Sequence, residues 1–240
     1  MRQYRDKSGL TETEFLAQYD ENKYRRPSVT VDMAVFTPVD SGDGLRLGAL
    51  IIQRGGHPFI GRWALPGGFV RMDEELDAAA ERELMEETGV CAVQMRQFGA
   101  FAKVDRDPRT RIISVGYYAL LPYGTVRPRA GDDAGDADLF SLSVEIKCAH
   151  AGRRLYSIAL DGKVRLNEYG MLVNDGLGWL PAPAKEGCLS SDHGFILFSA
   201  LYAVGRLERG LAAARLAGER RELIPHMRWS LDNAVGVLSV

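Results

Sequence analysis

The chain has 240 residues, 46% of them hydrophobic and 26% charged, and 30 basic against 32 acidic side chains leave a net charge of −2. That length fits one large domain or two small ones, with enough apolar residues for a sizeable core without disulfide staples. The charge balance excludes a chain-wide basic surface for nucleic acid and an acidic disordered chain.

Residues 11–24 are expected to form a helix, capped by Thr11 or Thr13, with Phe15, Leu16 and Tyr19 spaced for one buried stripe and Pro27 ending the element. Residues 28–37 alternate as a strand, with Val29, Val31, Met33 and Val35 on one side. A turn cluster at 40–44 and a second strand at 45–53 predict a hairpin. Residues 54–72 are rich in Gly and Pro and read as a loop. A helix over 73–88 follows, then strands at 93–104 and 111–121 around the polar turn DRDPRT. Residues 129–140 read as an acidic loop, 154–173 as a hairpin turning at Asp161-Gly162, and 181–187 as a flexible connection. The last predicted helix is 192–217, loosened at Gly205 and Gly210.

The N-terminus has no apolar signal-peptide core, and the longest apolar runs, such as 49–52, are too short to span a bilayer. Cys91, Cys148 and Cys188 show no paired spacing and form no metal set. Three reduced, mostly buried thiols in a cytoplasmic protein are therefore expected.

The chemistry concentrates in 67–90, GGFVRMDEELDAAAERELMEETGV. Asp73 is the candidate N-cap, with Glu74 and Glu75 in the first turn, where negative charge suits the helix dipole. Leu76, Ala80 and Leu84 form the inward stripe, and Gly89 ends the helix. On another face Glu83, Glu86 and Glu87 stand at i, i+3 and i+4, so three carboxylates converge. Their repulsion is relieved by a divalent cation, and hard oxygen donors select Mg²⁺ or Mn²⁺. Arg82 is placed to pair with Glu74 or with one of those glutamates, and Gly67-Gly68 allows close backbone approach. The plainer reading is a solvated acidic face on an amphipathic helix.

Gly68, five residues, Glu74, seven residues, then REL-x-EE-x-GV (82–90) resembles the signature of the Nudix hydrolases. Seven fixed identities at ~6% each would coincide by chance in roughly one chain in 10⁶. The resemblance implies an α/β fold, an α/β/α sandwich with a mixed sheet, here with an added N-terminal helix and C-terminal helical extension. It also implies metal-dependent hydrolysis of a nucleoside diphosphate derivative. By motif match, Gly67, Glu83, Glu86 and Glu87 look like metal ligands, and Glu83 is alternatively the water activator. Arg82 is grouped with the catalytic glutamates, and Gly68, Glu74 and Gly89 look like supports of the box.

The phrases at 25–38, 53–70, 106–120, 130–140 and 192–201 resemble the ADP-ribose pyrophosphatase-like branch and its relatives, the Nudix-related regulators of NAD metabolism. This chain has Leu139 where that branch carries Trp. The favoured expectation is ADP-ribose cleaved to AMP and ribose 5-phosphate; the alternative is a non-enzymatic sensor or regulator of an NAD-derived metabolite. Arg109, Arg111, Trp63 and Asp133 are candidate substrate contacts, with Phe59 a second stacking candidate. Asp132, Asp133, Asp136 and Asp138 are candidates for a further metal or for water positioning. Each has a plainer reading as a strand-end charge, a packing ring or a solvated loop. His193 reads as a capping or packing residue.

The expected organisation is an N-terminal helical extension (1–26), a Nudix domain (27–205) with a hairpin-bearing insertion at about 141–190, and a tail (206–240). Residues 206–228 carry six Arg against three Glu but no hairpin signal for a winged helix, so nucleic acid is not an expected partner. No membrane association is expected. A homodimer is, with the 11–24 helix as the exchanged element.

Overall fold

The computed structural model describes residues 4–42, 44–129 and 134–216, with side chains described through 205. Its centre is a mixed ten-stranded sheet. The strands are β1 (Ser28–Asp40), β2 (Leu45–Arg54), β3 (Trp63–Ala64), β4 (Gly67–Phe69), β5 (Arg96–Phe101), β6 (Ile112–Leu120), β7 (Ala134–His150), β8 (Arg153–Asp161), β9 (Arg165–Asn174) and β10 (Trp179–Ala182). The order is β10-β9-β8-β7-β2-β1-β6-β5, with β3 on β2 and β4 on β1. Only the β1–β6 pairing is parallel among these. The helices are α1 (Glu12–Gln18), α2 (Leu76–Thr88) and α3 (His193–Leu216).

The sandwich follows from β1, a central strand apolar on both faces. Val31, Met33 and Val35 pack with Ala79, Ala80 and Leu84 of α2. Ala34 and Phe36, on the alternate face, join Ile196, Leu197, Phe198 and Leu201 of α3. One helix therefore closes each face, and β8 and β9 add Tyr156, Ile158, Leu160 and Leu172 to the α3-side core. The 141–190 stretch thus extends the same sheet.

Several expectations are corrected. The helix begun at Thr11 is only Glu12–Gln18, and Phe15, Leu16 and Tyr19 are exposed rather than buried. A capping box holds it: Thr11 Oγ1 accepts from Glu14 N–H, and Glu14 Oε2 accepts from Thr11 N–H at 2.7 Å. The 54–72 loop contains the short strands β3 and β4. Glu75, not Asp73, occupies the N-cap of α2, without a side-chain cap bond, so Glu74 and Glu75 precede the first turn. Glu74 is diverted from that turn by its bonds to Arg82 and to the Arg71 N–H. Asp136 and Asp138, expected in a loop, lie in β7, whose backbone bonds to β2 override the local turn composition.

The β8–β9 turn holds three residues, because Asp161 pairs with Arg165. The connection at 181–187 begins inside β10. Helix α3 runs on through Gly205 and Gly210 rather than loosening there. All three cysteines are free but exposed, not buried. Gly89 ends α2 in the left-handed conformation (φ 71°), as expected. Among the described residues, no helix is long and apolar enough to cross a membrane.

Candidate active site

Pairing of β4 with β1 sets Gly67 opposite Asp32 and Gly68 opposite Val31, which brings the Gly-Gly strand against α2. The approach is too close for side chains. A Cβ on Gly67 would lie 2.2 Å from the Val31 carbonyl oxygen, and one on Gly68 would lie 2.3 Å from the Glu83 carboxyl. The Gly67 N–H donates to Glu87 Oε2 at 2.8 Å.

Arg82 organises the other carboxylates. Its Nε donates to Glu74 Oε2 at 3.0 Å, its Nη1 to Glu83 Oε1 at 2.6 Å and to Glu86 Oε2 at 3.0 Å, and its Nη2 to the Phe69 carbonyl at 3.0 Å. Both alternatives open for Arg82 are therefore realised: one fork grips Glu74 while the other spans two glutamates of the acidic face. The Arg82 guanidinium and the Arg71 N–H hold the Glu74 carboxyl down at about 2.

Glu83, Glu86 and Glu87 line one cleft of about 710 Å³, together with Gly67, Arg54 and Arg109. The donors are hard oxygens on two elements, which suits a divalent cation. Among the described residues, no group of three or more Asp, Glu, His or Cys side chains is arranged to hold a metal ion as it stands. Arg82 bonds to both Glu83 and Glu86, while Glu87 turns to Gly67.

Burial pushes the Glu87 carboxyl up to about 8; Glu83 and Asp32 act in the same direction, while the Gly67 N–H and Arg54 oppose it. That contribution to stability is full below the unfolded value of 4.5 and is lost as pH rises through about 8. In metal-free protein, urea unfolding should therefore show stability falling by on the order of 2–4 kcal/mol across that window. Glu87→Gln should flatten the slope, and an unchanged slope in that variant would remove Glu87 as its source.

In the wall of the cleft lies a charged group not singled out from the sequence. Arg106 is 9% exposed; its Nε and Nη2 donate to Asp192 at 2.9 and 2.7 Å, and Nη2 also reaches Asp32 Oδ2 at 3.4 Å. Ser114 Oγ donates to Asp32, and Ser191 Oγ to the Arg106 carbonyl. Burial alone would lower the Arg106 pKa, but Asp192 and Asp32 raise it overall. The one available signal was Asp32 itself, a lone charge in an apolar strand; Arg106 and Arg54 gave none.

His193, expected to cap or pack, is buried at the start of α3 and lines the cleft, with Nε2 3.9 Å from Asp32 Oδ1. Its Nδ1 accepts from the Leu65 N–H at 3.0 Å, and burial keeps its pKa low.

The substrate candidates separate. Arg109 lines the cleft, paired with Asp107 and stacked over Phe69 at 5.1 Å. Arg111 is not among the cleft residues and donates to the Lys103 carbonyl at 3.0 Å. Trp63 is buried, edge-on to Phe140 at 4.9 Å, and so cannot stack a base; Phe59 does reach the cleft. Asp132 and Asp133 lie outside the described residues. Asp136 is paired with Lys163 at 2.7 Å.

The NUDIX domain family model matches residues 28–156, more than half of the chain, and the chain belongs to the Nudix family. It is 43% identical over 115 residues to the ADPR responsive transcriptional repressor NtrR of Acinetobacter baylyi, covering 47% of this chain and 44% of that one. It is 40% identical over 94 residues to the ADP-ribose pyrophosphatase of Methanocaldococcus jannaschii, covering 39% and 54%. The matches thus span about half the length of these curated relatives. A MutT/nudix family protein from Enterococcus faecalis has a similar structure, with TM-score 0.61 and 31% identity over 84% of this chain and 75% of that one.

Proposed function

We propose that this protein hydrolyses the pyrophosphate linkage of a nucleoside diphosphate derivative, with ADP-ribose, cleaved to AMP and ribose 5-phosphate, the best-matched substrate. The observation that carries this reading is the gathering of Glu83, Glu86 and Glu87 with Gly67 in one cleft that Arg54 and Arg109 also line. The likeness to a pyrophosphatase named for ADP-ribose supports the substrate. Gly67, Glu83, Glu86 and Glu87 would hold Mg²⁺ or Mn²⁺, which when bound neutralises phosphate oxygens and acidifies a water. Arg54 and Arg109 suit the phosphate oxygens. Glu83, whose carboxyl lies against Gly68, would accept the proton of the attacking water at a carboxylate oxygen. Water forms the new P–O bond as the bridging P–O bond breaks.

A second reading, a sensor without turnover, is favoured by the likeness to an ADPR responsive repressor. A screen for AMP release from nucleoside diphosphate derivatives with Mg²⁺ and Mn²⁺ separates the two. AMP release from ADP-ribose is the expected result. Tight ADP-ribose binding with no hydrolysis of any derivative would establish the sensor instead. We also propose a homodimer, supported by the exposed Phe15, Leu16 and Tyr19 of α1; a monomer by light scattering would remove it.

A further inference from the structure

A second cavity, of about 840 Å³, lies beside the glutamate cleft. Phe59, Arg106 and Ser191 line both, so the two spaces meet there. Their chemistry differs. The first offers carboxylates and arginines; the second gathers aromatic rings beside charged side chains such as Arg62, Glu168 and Lys185.

On one side stand Phe98, Phe101, Phe195 and Tyr202. Phe101 lies 5.7 Å from Phe98 and 5.5 Å from Phe195, edge-on to both. Phe101 is anchored in the α3-side core, so this wall is stiff. The other wall comes from β9, β10 and the segment after it, with Tyr169, Leu180 and Lys185. Lys185 Nζ stands 3.7 Å from the Tyr169 ring centroid. The Tyr202 hydroxyl donates to the Trp179 carbonyl and so ties β10 to α3, which sets the distance between the walls. All of β9 and β10 lies beyond residues 28–156, the stretch the family model matches.

An aromatic slot that meets a phosphate-type cleft suits a ligand with one planar apolar part and one anionic part. We propose that the second cavity seats the nucleobase of the substrate, between the Phe98–Tyr202 wall and the Tyr169–Leu180 wall, while the diphosphate lies along the glutamate cleft. This rests on the pyrophosphohydrolase reading, and it makes the 141–190 extension a determinant of substrate choice.

The test compares AMP with ribose 5-phosphate, which lacks the base, by calorimetry on the full chain. The variants are Leu180→Ser, at a 48% exposed position outside the core, and the Tyr169→Ala/Leu180→Ser double variant. Wild type should bind AMP at least about 10-fold more tightly than ribose 5-phosphate, a modest value for base–aromatic stacking. The double variant should lose most of that preference, Leu180→Ser part of it, with ribose 5-phosphate affinity unchanged. KM for ADP-ribose should rise about 10-fold in the double variant with kcat within about twofold.

Equal AMP affinity in wild type and both variants overturns the proposal, as does an unchanged KM. The two readings fail separately. Absence of all hydrolysis with the AMP preference present and lost in the double variant sinks the hydrolase alone. Normal hydrolysis with wild-type KM in both variants sinks the base seat alone.

Discussion

Glu87→Gln is expected to lower ADP-ribose hydrolysis by about 10³-fold or more at saturating Mg²⁺, with the fold intact. The amide keeps the shape of the carboxylate and can still accept the Gly67 N–H through its oxygen. What it loses is the negative charge that would hold a cation in the cleft. Because burial already disfavours that charge in metal-free protein, the variant should melt no lower than wild type at neutral pH. Activity retained in Glu87→Gln with excess Mg²⁺ would defeat the assignment of Glu87 as a ligand. Glu86→Gln should lower hydrolysis in the same way: its amide oxygen can still accept from Arg82, but the negative charge facing Arg82 and Arg71 is lost.

The largest loss of stability is expected from Arg106→Met, about 3–5 kcal/mol by urea unfolding at neutral pH. Asp32 and Asp192 have side chains only 7% and 19% exposed, and removal of Arg106 strands two like charges beside each other. Adding Asp192→Asn should recover part of the deficit by removing one of the two stranded charges. No recovery on adding Asp192→Asn would mean that Arg106 acts through packing alone. The consequence extends beyond stability, because Arg106 joins the 102–111 loop to β1 and to the start of α3, between the two cavities.

The acidic face was legible because a helix converts sequence spacing directly into geometry. Glu83, Glu86 and Glu87 share a face wherever that helix packs, and Gly89 stops it wherever it ends. The central hairpin was legible for a similar reason: the turn cluster at 40–44 separates two strongly apolar strands, observed as β1 and β2. The failures share a cause as well. Residues 134–140 carry loop composition but enter β7, since a partner strand supplies backbone bonds that no local rule reports. Phe15, Leu16 and Tyr19 have core spacing, yet the sheet already has a helix on each face and the described residues offer α1 no seat. Trp63 looked available for stacking because it flanks a Gly-rich segment, but pairing of β3 with β2 turns it inward onto Phe140.

By itself, the sequence determined the box helix, its glutamates, the glycines that let β4 approach them, and the family to which they belong. These are local properties, written in spacings of a few residues. Only the tertiary structure decided that Asp32, Arg106 and Asp192 meet at the cleft wall, that Arg109 lines the cleft while Arg111 does not, and that the 141–190 stretch forms part of a second cavity beside it. Each depends on contacts between residues tens of positions apart, such as the 86 that separate Arg106 from Asp192. Such contacts are set by strand order and by the competition for burial on two faces of one sheet, which no local pattern encodes.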